Sequence, residues 1–174
     1  MKARRRILYV EQNTDGTVGG SHFSLLYLVE GLDKALFEPT VVFYQEHRLI
    51  PAYRQAGCEV VVLKKPAPLD FKRLFPALAA LSKNPISNAL AVMPALALQK
   101  ALNYLRGFVL PSFECWQFLL KGRFDLLHLN NTVLRPQQWI LASLFARTRA
   151  VAHERGINKS FPALAFILAR ALGA

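Results

Sequence analysis

Acidic residues are scarce in this chain. Its 174 residues carry 11 Asp+Glu against 22 Lys+Arg, a formal net charge of +11. So unbalanced a chain should seek phosphates, whether on nucleic acid, on anionic lipid headgroups or on a phosphorylated substrate. No carboxylates are paired at acid/base spacing, and no His, Cys, Asp or Glu cluster has metal-ligand spacing. No metal and no cofactor is therefore expected. Cysteine is nearly absent: Cys58 and Cys115 lie far apart, form no Cys-x-x-Cys and read as reduced core thiols. Long apolar runs are missing too. The longest, residues 86–98, is broken by Ser87, Asn88 and Pro94 and falls short of the ~20 residues needed to span a bilayer. Met1-Lys2-Ala3-Arg4-Arg5-Arg6 looks like the start of a secretory signal, but four apolar residues follow before Glu11, too few for one. Internal repeats and low-complexity tails are not seen.

What is present is apolar content, 53% of the chain, enough for about one domain with a real core or for contact with lipid. The chain is organised around residues 7–36. Ile7-Leu8-Tyr9-Val10 reads as a strand covered on both faces, as in a parallel sheet. A polar turn over residues 11–20 leads to a helix opening at Ser21, its expected N-cap. Leu25, Leu28, Val29, Leu32 and Leu36 fall on one helical face. Gly19-Gly20 lets the backbone approach a ligand where free N–H groups and the positive end of the helix dipole point, so the natural guest is a phosphate. The bland alternative is a tight turn that binds nothing. The turn is neither Gly-x-Gly-x-x-Gly nor a Walker loop, which argues against a dinucleotide or nucleoside triphosphate in the usual mode.

Further on, Pro39 introduces a second strand over residues 40–44. A short helix over residues 51–56 ends at Gly57, and residues 59–63 form a third strand. Residues 125–129 give a fourth strand ending in Asn130-Asn131. A helix with Pro136 in its first turn follows, with Trp139, Ile140 and Leu144 on one side. Residues 150–153 are a fifth strand and residues 161–172 a last helix. This alternation predicts a Rossmann-like α/β fold: a parallel sheet, order 3-2-1-4-5, with helices on both faces. Between strands 3 and 4, residues 64–123 read as a helical insertion hinged at prolines. Its charges are one-sided: Lys72, Arg73, Lys100 and Arg106 stand among nine cations against Asp70 and Glu114. Apolar helices edged with cations suit an anionic membrane surface, which places the protein in the cytoplasm at the inner membrane face. An ordinary insertion with a solvated basic face is the alternative. Aromatics do not interleave with Lys and Arg on a stacking strip, so nucleic acid is disfavoured.

In such a sheet ligands bind beyond the carboxyl ends of the strands, where strand order reverses. There Glu11-Gln12 and Gly19-Gly20-Ser21 from strand 1 should meet Asn130-Asn131-Thr132 from strand 4. Strand 5 adds His153, Glu154, Arg155 and Gly156. Polar groups from three strands at one mouth favour a binding site. Each has a duller reading. Asn130 and Asn131 could cap the next helix, His153 could be structural, and Glu154 and Arg155 could pair with each other. His128 reads as packed inside its strand. His22 could touch a ligand or solvent, and His47 carries no argument.

Four segments together resemble a family. Ile7-Leu8-Tyr9-Val10 leading to Gly19-Gly20-Ser21 and then Phe23-Ser24-Leu25-Leu26-Tyr27-Leu28-Val29-Glu30-Gly31-Leu32 is similar to the glycine-pair opening of retaining, GT-B-fold glycosyltransferases of family 4. Gln55-Ala56-Gly57-Cys58-Glu59-Val60 resembles that family's connection into its third strand. Phe124-Asp125-Leu126-Leu127-His128-Leu129-Asn130 and Ala150-Val151-Ala152-His153-Glu154-Arg155-Gly156 resemble its fourth and fifth. The likeness covers the chain except residues 64–123. It implies that Gly19, Gly20 and Ser21 meet the diphosphate of a nucleotide-sugar donor, the co-substrate, and that His153 sits by the transferred sugar as the catalytic residue. Glu11, Asn130, Asn131, Glu154 and Arg155 would form the acceptor side, for a lipid-linked or other cell-envelope saccharide. In the family a second Rossmann-like domain grips the nucleotide through a basic pair and a Glu-x7-Glu motif. Neither is present here, so the chain reads as the acceptor-side half of a GT-B enzyme, inactive alone. The alternative is a non-catalytic basic module that binds anionic membrane or phosphorylated ligands.

Overall fold

The structure is a computed structural model that describes residues 3–14, 16–132, 134–155, 163, 167 and 170. Gly156 lies outside the described residues, as does the expected last helix apart from Ala163, Ile167 and Arg170, which are helical. Five parallel strands form one sheet: β1 (Arg5–Glu11), β2 (Phe37–Phe43), β3 (Glu59–Val62), β4 (Leu126–Asn131) and β5 (Arg149–Glu154). Their order is β3-β2-β1-β4-β5, as expected, with β1 between β2 and β4.

Alternation along β1 feeds two cores. Ile7 and Tyr9 pack with Leu25, Leu26 and Val29 of α1 (Gly20–Glu30) and with Ile50 and Tyr53 of α2 (Ile50–Gln55). Leu8 and Val10 face the other way, onto a core shared by Leu119, Trp139 and Ile140. Each fully buried aliphatic or aromatic side chain contributes about 1.5–3 kcal/mol, so both faces of β1 are strongly specified. Cys58 and Cys115 are buried free thiols. Cys58 donates to the Pro39 carbonyl at 3.4 Å, and burial pushes its pKa up to about 12.

Several local expectations fail for physical reasons. Gly19, not Ser21, is the N-cap of α1, and it has extended backbone. The buried face of α1 is His22, Leu25, Leu26 and Val29. Leu28 is exposed, and Leu36 lies beyond the end of the helix. The buried stripe is about as wide as the expected one but turned toward Leu26 and His22, which leaves Leu28 in solvent. Pro39 lies inside β2, opposite Ile7. Its carbonyl takes the Cys58 thiol just before β3 begins at Glu59, so its missing N–H faces a position where no strand has yet started. Helix α8 (Gln137–Ala146) buries Trp139, Ile140, Ala142 and Ser143, while Leu144 is exposed.

The stretch between β3 and β4 holds α3 (Phe71–Leu74), α4 (Pro76–Leu81), α5 (Pro85–Ser87), α6 (Met93–Tyr104) and α7 (Leu110–Gly122), with π turns at Asn88–Val92 and Leu105–Val109. Pro76 and Pro85 open helices, as N-terminal prolines do. Pro94 does not break its helix. It lacks the N–H for an α-type bond, and Met93 before it bonds one position further back, to Asn88, so the helix widens and continues; Leu110, before Pro111, bonds to Leu105 in the same way.

The chain divides into two compact units, Met1–Lys64 with Ser112–Ala174, and Lys65–Pro111. In the first, α7 contributes buried Ser112, Cys115 and Leu119. In the second, Asp70 caps α3, and Gln99 and Asn103 of α6 bond the backbone of Phe71 and Leu69. Val92 is its one buried apolar side chain among the described residues. Leu74, Phe75, Ile86, Leu90, Met93, Leu98 and Tyr104 are all more than half exposed. Lys72, Arg73, Lys100 and Arg106 are exposed beside them.

Candidate functional site

The carboxyl ends of β1, β4 and β5 meet through one buried amide. Asn130 is 3% exposed and Glu11, its neighbour across the β1–β4 register, 1%. The Asn130 Nδ2 donates to Glu11 Oε2 at 2.6 Å and to the Ser21 carbonyl at 3.2 Å. Its Oδ1 accepts from Arg155 Nη2 at 3.0 Å. Both amide hydrogens are thereby used, and the helix start, the strand ends and the guanidinium are locked to one another. Asn130 and Asn131 are strand residues and cap no helix; Pro136 occupies that position before α8. Asn131 has φ 94, and its carbonyl accepts the Arg155 N–H at 3.1 Å, extending the β4–β5 pairing past Glu154.

Glu154 does not pair with Arg155. It accepts from the Thr132 hydroxyl at 3.1 Å, while Arg155 turns to Asn130 and to His153 Nδ1, 3.4 Å away. His153 and Arg155 are both exposed at the mouth. A narrow crevice next to them is lined by Glu11, Gln12, Asn130, Asn131, Thr132 and Arg135. Gly19, Gly20, Ser21 and His153 do not line it; Asn130 and Arg155 connect them to it.

At the glycine turn, the Gly19 N–H is spent on His22 Nδ1 at 3.4 Å, and the Gly19 carbonyl accepts from His22 N–H. The N–H groups of Gly20 and Ser21 have no partner among the described residues. A Cβ placed on Gly19 or Gly20 would meet nothing within 4 Å. Among the described residues, therefore, nothing packs against the side of the turn where a side chain would project, which leaves room there for a ligand to approach.

His22 is buried, not solvent-facing. Its carbonyl accepts the Tyr53 hydroxyl at 2.6 Å, and its ring meets His47 edge-on at 5.0 Å. Burial, with His22 alongside, lowers the His47 pKa to about 4. His128 is packed as expected, edge-on to Tyr9 at 5.1 Å. Burial, then the charges of His153 and Arg155, lower its pKa to about 4. The His22–His47 pair and Arg135 went unnoticed in the sequence. Arg135 could have been found, since it lies in the loop that follows a central strand. Nothing local brings His47 to His22.

No family model and no curated protein matches the chain. Solved structures do. The crystal structure of Anabaena HepE in complex with UDP is 17% identical, with a TM-score of 0.52, over 97% of this chain and 35% of that one. The fold is shared with HepE. HepE with UDP and glucose gives 18% identity and a TM-score of 0.48 over 87% and 30% of the two chains. HepE with UDP-glucose gives 17% and 0.46 over 85% and 28%. The chain thus spans about a third of the length of HepE. At this identity the likeness to HepE lies in the order and pairing of elements.

Among the described residues no three His, Cys, Asp or Glu side chains are grouped to hold a metal ion, and no helix is long and apolar enough to cross a membrane.

Proposed function

We propose that this chain is the acceptor-side half of a GT-B glycosyltransferase, retaining and family 4-like, that uses a nucleotide-sugar donor without a metal. The observation that carries the reading is the Glu11–Asn130–Arg155 network joined to the unpartnered N–H groups of Gly20 and Ser21. HepE, similar in fold, has been crystallised with UDP, which supports a nucleoside diphosphate as the guest. The Gly20 and Ser21 N–H groups, at the positive end of α1, receive a diphosphate oxygen. Arg155 supplies the nearby positive charge. His153, within reach of Arg155, hydrogen-bonds the sugar or the acceptor hydroxyl as charge develops there. Glu11, buried and bonded to Asn130, balances Arg155 and lines the crevice on the acceptor side. Asn131, Thr132 and Glu154 flank the acceptor.

The second unit supports a place at the membrane. Exposed Leu74, Phe75, Ile86, Leu90 and Met93 lie in a segment whose cations Lys72, Arg73, Lys100 and Arg106 are all exposed. Apolar side chains so rimmed suit an anionic lipid surface on the cytoplasmic side, where a lipid-linked acceptor resides.

Base and ribose contacts are assigned to a second domain, so these residues alone bind a nucleotide sugar no better than about millimolar and transfer nothing. Calorimetry with a panel of nucleotide sugars, beside a transfer assay, tests this. Weak binding abolished by Gly20→Val is expected; micromolar binding insensitive to Gly20→Val, or turnover by these residues alone, would overturn it.

A further inference from the structure

The other end of the sheet carries a feature that the crevice does not use. The amino-terminal ends of β1, β4 and β5 surround an open basin of about 450 Å³ lined by Arg5, Phe124, Asp125, Arg147, Thr148 and Arg149. The register explains why the cations gather there. Ile7 pairs with Leu126, and Leu126 with Arg149, so Arg149 lies on the same sheet face as Ile7. Arg5, two residues before Ile7, shares that face one turn of the pleat away. Arg147 joins them from the C-terminal end of α8, where it sits in the left-handed region at φ 53.

Neighbouring arginines have ordinary structural work. Arg4 and Arg6 pair with Glu38, at 3.5 and 3.6 Å, and the Arg6 guanidinium lies 5.2 Å over the Phe124 ring. Asp125 is occupied as well, its Oδ2 accepting the Arg6 N–H at 2.8 Å. Arg5, Arg147 and Arg149 are different. All three are exposed, and none makes a side-chain hydrogen bond or ion pair among the described residues. Position 147 is a helix C-terminus in the left-handed conformation, where glycine is the usual choice and a residue with a side chain is strained. A long cation held there, facing a concavity with two more, is unlike a scattered solvated face.

We infer that this basin is a second anion site, taking a ligand with two neighbouring anionic phosphate groups or one dianionic phosphate. Guanidinium forks match phosphate oxygens in pairs, and the Thr148 hydroxyl adds a neutral donor. The ligand's charge offsets the mutual repulsion of Arg5, Arg147 and Arg149. The site stands apart from the glycosyltransferase reading, because it lies at the opposite ends of the strands.

The probe is inorganic pyrophosphate, titrated calorimetrically into the chain. A second arm uses flotation with phosphatidate-containing vesicles, in a Lys72→Gln/Arg73→Gln/Lys100→Gln/Arg106→Gln background that silences the second unit. Pyrophosphate binding should survive Gly20→Val and weaken about tenfold or more in Arg147→Gln/Arg149→Gln. Arg147→Gly removes the charge while relaxing the backbone, so it separates loss of binding from loss of folding. Vesicle binding lost with the same arginines identifies a lipid headgroup as the source; pyrophosphate binding without vesicle binding identifies a free phosphate compound. No binding of either probe, binding unchanged by the arginine variants, or binding abolished by Gly20→Val would overturn the inference.

Discussion

Replacing Asn130 with alanine removes the group on which three strand ends depend. Glu11 is 1% exposed, and the amide 2.6 Å from its Oε2 is the donor that satisfies it. Taking a neutral donor from a buried carboxylate leaves that oxygen unsatisfied, at a cost of about 1.5–3 kcal/mol for a hydrogen bond to a charged group. Arg155 is exposed and regains water, so its lost bond adds little, and the lost Ser21 contact adds about 1 kcal/mol. The expected loss is about 2–4 kcal/mol, a large share of the roughly 5–15 kcal/mol total for a domain of this kind. Urea denaturation followed by circular dichroism reads it directly. Asn130→Asp sharpens the test by placing a second carboxylate against Glu11. Its loss should exceed that of Asn130→Ala at pH 7, because two like charges then face each other in place of a hydrogen bond. Glu11→Gln should relieve the Asn130→Ala defect, giving a coupling of about 1 kcal/mol or more in a double-mutant cycle. If Asn130→Ala unfolds within 0.5 kcal/mol of the unaltered chain, Glu11 is not held by this amide and the network argument fails.

Three further outcomes are expected. Because burial lowers the His47 and His128 pKa values to about 4, the unfolded chain binds more protons than the folded one between about pH 6.5 and pH 4. Stability should thus be full above pH 6.5 and fall with pH through that window. His128→Phe should flatten the slope, and an unchanged pH profile would contradict the assignment. Gly122→Ala should destabilise by about 1–3 kcal/mol, because its Cβ would run into the Phe124 ring; a thermal melt at the unaltered temperature would show that the ring moves freely. Binding to anionic vesicles should weaken with salt and drop when Lys72, Arg73, Lys100 and Arg106 become Gln, each cation contributing on the order of 1 kcal/mol. Equal binding to neutral vesicles would exclude the electrostatic part.

Strand order was legible because the apolar runs at residues 7–10, 40–44, 59–63 and 125–129 are separated by helical periodicity, and crossover rules leave few arrangements. Convergence of Glu11, Asn130 and Arg155 followed from that order alone. What each residue does there did not. Sequence could not reveal that Asn130 spends both amide hydrogens on Glu11 and Ser21, nor that Glu154 turns to Thr132. These choices depend on side-chain directions at strand ends. The N-cap at Gly19 was missed because Ser21 is the better capping residue by chemistry, and the backbone entered the helix earlier. Pro94 and Pro111 read as breaks, since a sequence shows the missing N–H but not the π turn that absorbs it. The Arg5–Arg147–Arg149 basin was invisible for a different reason: its members lie some 140 residues apart and meet through the β1–β4–β5 register.

The central claim is that the open glycine turn and Arg155 together receive a diphosphate. Amide resonances followed by heteronuclear NMR during titration of the chain with UDP test it most directly. The account predicts shifts at Gly20, Ser21 and Arg155 that saturate at about millimolar concentration and vanish in Gly20→Val. Shifts confined to Arg147, Thr148 and Arg149, or none at Gly20 and Ser21 at saturating UDP, would contradict it.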